Sequence, residues 1–138
     1  MKRILGFLLL FLCMPACDWF GINTKTIIGS GKRIKHEVSI KNVQELKAVG
    51  SGKIFLKQGS EESLVIKADD NLLPHIVAVV DDGELFLGPE KNMHLKPKVG
   101  IHYYLTVKDI DHIELSGAIE LETRLIKTNN IEFELSGA

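Results

Sequence analysis

The pentapeptide ELSGA occurs at Glu114–Ala118 and again at Glu134–Ala138, 20 residues further on. A second small-residue motif, GSGK, begins at Gly29 and recurs from Gly50, 21 residues later. Recurrence at a fixed spacing is typical of repeat folds, in which each unit stacks on the unit before it. The pattern therefore predicts stacked units of about 20 residues with one small-residue turn in each.

Nearly every segment between these turns has the period of a β-strand. Apolar residues alternate with polar residues from Ile34 to Ile40 and from Val99 to Val107, as in half-buried strands. The dipeptide Asp82-Gly83 lies between two apolar runs and indicates a tight hairpin. No segment has the length and the 3.6-residue period of an α-helix. We therefore predict an all-β fold: a β-solenoid or superhelix preceded by antiparallel hairpin elements.

Glycines are the predicted structural turns, because glycine tolerates tight corners and positive φ angles. The triplet Asp69-Asp70-Asn71 is expected to cap one turn of helix. Residues 88–98 contain two prolines and are expected to form a mobile loop. The predicted turn residues are Gly29, Gly31, Gly50, Gly52, Gly83, Gly117 and Gly137.

The first 16 residues have the composition of a secretory signal peptide. Two basic residues precede an apolar run at positions 4–14, and Ala16 lies just before Cys17. The apolar run is about half the length of a transmembrane helix, which needs about 20 residues. We predict that residues 1–16 are a cleaved signal peptide.

The segment Met14–Cys17 resembles a bacterial lipobox, with Met14 at a position where leucine is commoner. This resemblance implies that Cys17 is lipidated and becomes the first residue, followed by a linker to residue 28. The alternative is ordinary cleavage that leaves Cys17 as a free thiol. Asp18 hints at retention on the periplasmic side of the inner membrane, and the outer membrane or cell surface stays open as an alternative.

Composition excludes several classes of function. Cysteine occurs only at positions 13 and 17, so the mature chain has no disulfide, no thiolate zinc site and no second cysteine as a nucleophile. Removal of residues 1–16 leaves 15 basic and 18 acidic residues, and this balance does not indicate a nucleic-acid partner. The charge is uneven, because residues 31–67 are mainly basic and residues 109–138 are mainly acidic.

Candidate chemical groups are few. No metal site and no cofactor are predicted, because the histidines lack ligand spacing. His102 and Tyr104 should lie together on an outward strand face. Glu120 and Glu122 would be about 6.6 Å apart on one strand, which overlaps the carboxylate separation of inverting glycosidases. Any pair two residues apart in a strand meets this distance, so a solvated surface is preferred. The histidines are His36, His75, His94, His102 and His112.

Two longer runs carry a family resemblance. The runs GSGKIFLKQG at Gly50–Gly59 and LVIKADDNLLP at Leu64–Pro74 resemble the bacterial head GIN domain family of auto-transporter adhesins, a domain of unknown function in exported proteins. The Asp82-Gly83 hairpin and the Ser-Gly turns at 116 and 136 also match. The resemblance covers about residues 29–138. It implies a superhelix like that of pectin-lyase-like solenoids, a role in adhesion and no catalytic residues.

Together these observations predict a non-enzymatic, lipid-anchored protein of the bacterial cell envelope. It would act in adhesion or assembly, through a cell-surface or polysaccharide ligand. Alternatives are a β-helical polysaccharide-active enzyme and a truncated, non-functional fragment, since members of the family usually continue through further turns. Residues 29–138 are expected to be a single, C-terminally incomplete domain. Its open edge, formed by Ile131, Phe133 and Leu135, is expected to mediate homo-oligomerisation.

Overall fold

A computed structural model describes residues 23–137. The signal peptide at 1–16 and the lipidation residue Cys17 lie outside the described residues. Ten strands and one 3₁₀ turn at Leu73–His75 make up the regular structure of the described part. The strands are β1 Lys25–Ile28, β2 Arg33–Val38, β3 Glu45–Gln58, β4 Ser63–Asp69, β5 Ile76–Asp81, β6 Glu84–Pro89, β7 Met93–Lys96, β8 His102–Val107, β9 His112–Thr123 and β10 Glu132–Ser136.

The central strand is β3, a 14-residue strand that changes its partner halfway along. Its first half pairs in parallel with β6, and its second half, from Lys53, pairs in parallel with β8. Along its other side β3 pairs in parallel with β9 from Glu45 to Leu56. The change of partner falls beside Gly50 and Gly52, whose φ angles of 96° and 152° are easier for glycine than for other residues.

Antiparallel pairs complete this sheet. Strand β4 lies between β8 and the edge strand β2 and is antiparallel to both. Strands β5 and β6 form a hairpin with a two-residue turn at Asp82-Gly83. Both turn residues have positive φ, 46° and 83°, as a type I′ turn requires. The hairpin predicted at this dipeptide is therefore confirmed.

A second sheet contains β1 and β7, which pair in parallel from Lys25–Met93 to Ile28–Lys96. Strand β7 lies within residues 88–98, so the prediction that this whole segment is a loop was wrong. Strand β1 belongs to the segment 17–28, which the sequence assigned to the linker. A four-residue strand is too short for period-two alternation to identify it against the neighbouring turns.

The all-β class is confirmed, whereas a solenoid is not shown. Strands β9 and β10 do pair in parallel with a 20-residue offset, so that Glu114 lies beside Glu134. The main sheet is mixed and open, however, with the order β10-β9-β3-β8-β4-β2 and with β6 and β5 branching from β3. The 21-residue recurrence of GSGK does not correspond to stacking. The strand after the first copy pairs with β4, and Gly50 lies beside Gly117 instead.

The hydrophobic core lies against the inner side of the main sheet. On β3 the even-numbered residues Leu46, Ala48, Ile54 and Leu56 are buried, two on each side of the change of partner. Burial of each large side chain contributes about 1.5 to 3 kcal/mol to folding. The alternate residues of β3 face outward. The sheet therefore has one apolar side, which fixes the strand register, and one side available for contacts.

The segment after β4 folds differently from the helix cap that the sequence predicts. Leu73–His75 does form a 3₁₀ turn, but it has no side-chain cap. The carboxylate of Asp69 is instead buried and accepts hydrogen bonds from the backbone N–H groups of Gly31, Lys98 and Val99. Asp69 thus connects two loops that are distant in sequence.

Among residues 23–137, no helix has the length and apolar character needed to cross a membrane.

Candidate functional site: an aromatic and basic sheet face

The candidate site lies on the outward side of three adjacent strands. We call it the aromatic-basic face and define it by Lys53 and Phe55 of β3, His102 and Tyr104 of β8, and Lys67 of β4. In the sheet register Lys53 lies beside His102, Phe55 beside Tyr104, and Lys67 beside His102. These residues alternate with side chains of the core, so the period-two pattern directs them outward. The alternating core residues are Ile54, Ile66, Tyr103 and Leu105.

Two aromatic rings form the centre of this face. The rings of Phe55 and Tyr104 are parallel to within 7°, and their centroids are 4.9 Å apart. This separation matches the spacing of neighbouring strands, about 4.8 Å. The imidazole of His102 stands at 72° to the ring of Phe55, at a centroid distance of 5.6 Å. Such arrangements contribute beyond simple burial and hold the rings in fixed positions.

A lysine flanks each side of the ring pair. The Nζ atom of Lys53 lies 5.1 Å from the centroid of Phe55, and that of Lys67 lies 5.0 Å from the centroid of Tyr104. Both distances allow cation–π attraction. The two rings therefore lie between two positive charges, and both residues are half-buried.

The two lysines differ in their ionic partners. Lys53 contacts Glu120 at 3.4 Å and Glu122 at 3.1 Å. Hydrogen bonds to Glu122 and then to Glu120 raise the pKa of Lys53. Within residues 23–137 no carboxylate lies within 4.0 Å of Lys67. Lys67 is thus the member of the face whose charge is free to meet an external anion.

His102 lies between the two lysines, in an environment that lowers its pKa. Burial lowers its pKa first, and the charges of Arg33, Lys53 and Lys67 lower it further. Its buried Nδ1 atom has no hydrogen-bond partner among the described residues. The lowered pKa favours the neutral imidazole on this basic surface.

The sequence identified part of this site. His102 and Tyr104 lie together on an outward face, as their spacing predicts. Phe55, Lys53 and Lys67 were missed, because only the pairing of β3 and β4 with β8 brings them to the same place. The alternation in each strand shows which of its residues face outward. It does not show which strands are neighbours in the sheet.

The paired carboxylates that the sequence offers as glycosidase groups, Glu120 and Glu122, form ion pairs with a lysine of the aromatic-basic face. Glu120 and Glu122 are exposed on β9, and both contact Lys53. A glycosidase acid needs a carboxyl group whose pKa is raised, usually in a buried site. Two solvent-exposed carboxylates that share one lysine do not provide that environment.

A second cluster lies where β9 meets β10. His112, Glu132 and Glu134 each place one ligating atom within 4.8 Å of the others. The imidazole of His112 is 3.6 Å from Glu132. Both glutamates are exposed, and exposed acidic groups at such distances commonly pair with histidine or solvent alone. The cluster arises from the same parallel register that brings Glu114 beside Glu134.

The predicted turn glycines are in several environments. Gly50 lies within β3, Gly117 within β9 and Gly137 just after β10, with φ angles of 96°, 91° and 113°. A Cβ atom on Gly117 would lie 2.5 Å from the carbonyl oxygen of Gly50. Side chains are therefore excluded from this stack. Of the others, Gly31, Gly52 and Gly83 also have positive φ angles, and Gly29 packs directly against the carboxylate of Asp69.

Comparisons with known proteins agree with this architecture. Similar solved structures include a putative lipid binding protein from Parabacteroides distasonis, with a TM-score of 0.76, 23% identity and coverage of 80% of this chain and 49% of that chain. A putative adhesin from Bacteroides fragilis has a TM-score of 0.72, 23% identity and coverage of 80% and 53%. The chain thus spans about half the length of these structures. At this identity the likeness shows a shared fold alone.

No curated protein matches the chain. The family model for the "Putative auto-transporter adhesin, head GIN domain" matches residues 44–138. This range includes β3 to β10, and with them Lys53, Phe55, Lys67, His102 and Tyr104. The chain therefore belongs to the auto-transporter adhesin head GIN domain family.

Proposed function

We propose that this chain is a non-enzymatic, adhesin-like protein of the bacterial cell envelope, and that the aromatic-basic face is its contact surface. The observation that carries the proposal is the family membership over residues 44–138, in a fold that places fixed rings and Lys67 on one exposed side. Similar structures are named as adhesins and as a lipid binding protein, which supports a binding role.

Location at the cell surface is the first requirement of this function. Protease added to intact cells should digest the chain, while a periplasmic marker protein stays intact. Disrupted cells provide the control, because both proteins should then be digested. Protection of the chain in intact cells would place it inside the envelope and contradict a role in adhesion.

The anchor in this proposal is a lipid on Cys17. Its support is the lipobox-like segment Met14–Cys17 that follows the apolar run. Cells fed a labelled fatty acid should label the wild type and the variant Cys13→Ala, whereas Cys17→Ala should carry no label. The matched pair separates the two cysteines of the chain. Label retained on Cys17→Ala would refute the anchor.

The parallel stack β6-β3-β9-β10 supports a proposal about shape. We propose that it is the start of a solenoid-like stack, in which the glycine column Gly50, Gly117 and Gly137 forms one corner. The support is that Gly50 of β3 pairs in register with Gly117 of β9, and that Gly137, just after β10, lies close against the backbone of Gly117. A crystal structure in which β10 leaves β9 and pairs in an antiparallel manner elsewhere would contradict this.

Strand β10 supports a further proposal, that two copies of the chain associate there. Phe133 and Leu135 continue the rows of the buried residues Ile113 and Leu115, but they are 49% and 75% exposed. An apolar strand edge with this exposure favours pairing with another strand. Leu135→Lys should lower the apparent mass in sedimentation velocity at high concentration. A wild type that stays monomeric there would refute self-association.

A further inference from the structure

A pocket lies beside the ring pair of Phe55 and Tyr104. It has a volume of about 360 Å³ and lies where β3, β8 and the end of β9 meet. Phe55 and Tyr104 line one part of it, and Lys57, Glu122 and Arg124 line another. A volume of this size is in the lower range of small-ligand pockets. The pocket therefore has room for one sugar-sized unit.

The charges around this pocket are unbalanced. Glu122 is engaged by Lys53 at 3.1 Å. Lys57 and Arg124 are both exposed, and in the described part of the chain neither has a carboxylate within 4.0 Å. Two free cations in one pocket favour an anionic ligand, because each ion pair that forms adds attraction.

The excess of positive charge continues across the sheet. On the same side, Lys35 of β2 lies directly opposite Lys67 of β4. Like charges in directly opposite positions destabilise a sheet. Within residues 23–137 no carboxylate within 4.0 Å compensates either lysine. An anion with several charges would relieve this repulsion while it occupied the pocket.

We propose that the pocket binds a uronic acid unit of an acidic polysaccharide, whose chain extends across the aromatic-basic face toward Lys67 and Lys35. Lys57 and Arg124 contact the carboxylate of that unit, and the edges of the Phe55 and Tyr104 rings contact its sugar ring. The inference rests on the proposed adhesin-like function and names the class of its ligand.

Two other anionic partners fit the face less well. An acidic peptide that adds a strand needs free backbone groups, but at Phe55 and Tyr104 both strands are already paired on each side. Insertion into an anionic membrane needs protruding apolar side chains. None of the residues that define the face or line the pocket is among the exposed large apolar residues of the described chain. A hydroxylated, charged chain needs only side-chain contacts, which this face offers.

The test uses the purified full chain with Cys17→Ala, which carries no lipid and needs no detergent, and four probes. These are polygalacturonate, neutral dextran, poly-L-glutamate, and vesicles that contain phosphatidylglycerol. Binding is measured by calorimetry for the polymers and by co-sedimentation for the vesicles. We expect binding to polygalacturonate that weakens as salt rises from about 0.05 M to about 0.5 M, since exposed charges are screened over that range. Dextran should not bind, and poly-L-glutamate should bind at least about tenfold more weakly.

Variants then locate the site. Lys57→Gln combined with Arg124→Gln should weaken polygalacturonate binding about tenfold, because it removes two exposed ion pairs. Lys41→Gln combined with Lys91→Gln makes the same change in net charge at exposed positions outside the face, and should change affinity less than about twofold. Thermal unfolding of each double variant checks that its fold is intact.

Four results would each overturn the proposal. They are no binding of polygalacturonate by the wild type, equal binding of poly-L-glutamate, binding to vesicles alone, and equal losses in the two double variants. Failure of the adhesin-like function is a separate result, because it is measured by protease access on intact cells and not by affinity for a polysaccharide.

Discussion

The buried carboxylate of Asp69 makes the most exacting prediction about this fold. We expect Asp69→Asn to lower the free energy of unfolding substantially. In the wild type Oδ1 accepts a bond of 2.8 Å from Gly31, and Oδ2 accepts bonds of 3.1 and 3.4 Å from Lys98 and Val99. Asparagine keeps one acceptor oxygen but places an NH₂ group where Oδ2 was, so that donor faces donor. The shape of the side chain is otherwise preserved.

The magnitude follows from the bonds that are lost. A hydrogen bond to a charged group contributes about 1.5 to 3 kcal/mol net. Loss of the two bonds to Oδ2, at the lower end of that range because one is long, gives about 3 kcal/mol. A domain of this size is stable by about 5 to 15 kcal/mol. The substitution should therefore remove a large share of the stability.

The same group gives the stability a dependence on pH. Burial alone would raise the pKa of Asp69, but the N–H donors of Gly31, Val99 and Lys98 outweigh it and hold the pKa below the ordinary value of 3.8. The charged form is thus favoured by folding. Its contribution is complete above the unfolded-state pKa, and it is lost as the pH falls through the lower folded-state pKa.

Urea denaturation followed by far-UV circular dichroism measures both effects. At pH 7 the Asn variant should unfold about 3 kcal/mol more easily than the wild type, and the gap should narrow as the pH falls below 3.8. The control is Asp111→Asn, at an exposed position, which should cost less than about 0.5 kcal/mol. The reasoning would be refuted if Asp69→Asn lowered the free energy of unfolding by less than about 1 kcal/mol at pH 7. It would also be refuted if the difference between variant and wild type did not change with pH.

Three further predictions concern the glycine stack and the aromatic-basic face. In chemical denaturation, Gly117→Ala should lower the free energy of unfolding by about 2 kcal/mol more than Gly31→Ala does. Both have similar φ angles, 91° and 88°, but only the Cβ at Gly117 would meet backbone at 2.5 Å; equal losses would contradict this. A double-mutant cycle with Phe55→Leu and Tyr104→Leu should give a coupling of about 1 kcal/mol, and purely additive losses would argue against the stack. NMR titration should place the pKa of His102 below 6.5, because burial and then neighbouring cations oppose its charging; a higher value would contradict that environment.

The predictable parts of the fold were the local ones. Alternation located β2 and β8, and the dipeptide Asp82-Gly83 gave the β5–β6 hairpin, because period and turn chemistry depend on adjacent residues. The repeated ELSGA also gave the correct register of β10 on β9. By contrast, the alternation in β7 spans only four residues between two prolines, and its parallel partner β1 lies about 70 residues away in sequence.

The candidate site was harder to predict for the same reason. His102 and Tyr104 are two residues apart, and their common face followed from strand geometry. Phe55 and Lys53 are about 50 residues from them, and Lys67 about 35. Their contacts exist because β8 lies between β3 and β4. Likewise Asp69 looked like a helix cap, and only long-range packing made it the acceptor for two loops.

The sequence by itself determined the all-β class, the resemblance to the head GIN domain family and the tight turn at Asp82-Gly83. These properties are encoded in residues that are neighbours along the chain, through period two and glycine chemistry. Only the tertiary structure decided that the sheet is mixed and open, that Gly50 stacks on Gly117, and that two rings and two lysines share one face. Those results depend on which strands become neighbours, and that choice is made by the burial of the whole apolar side of the sheet.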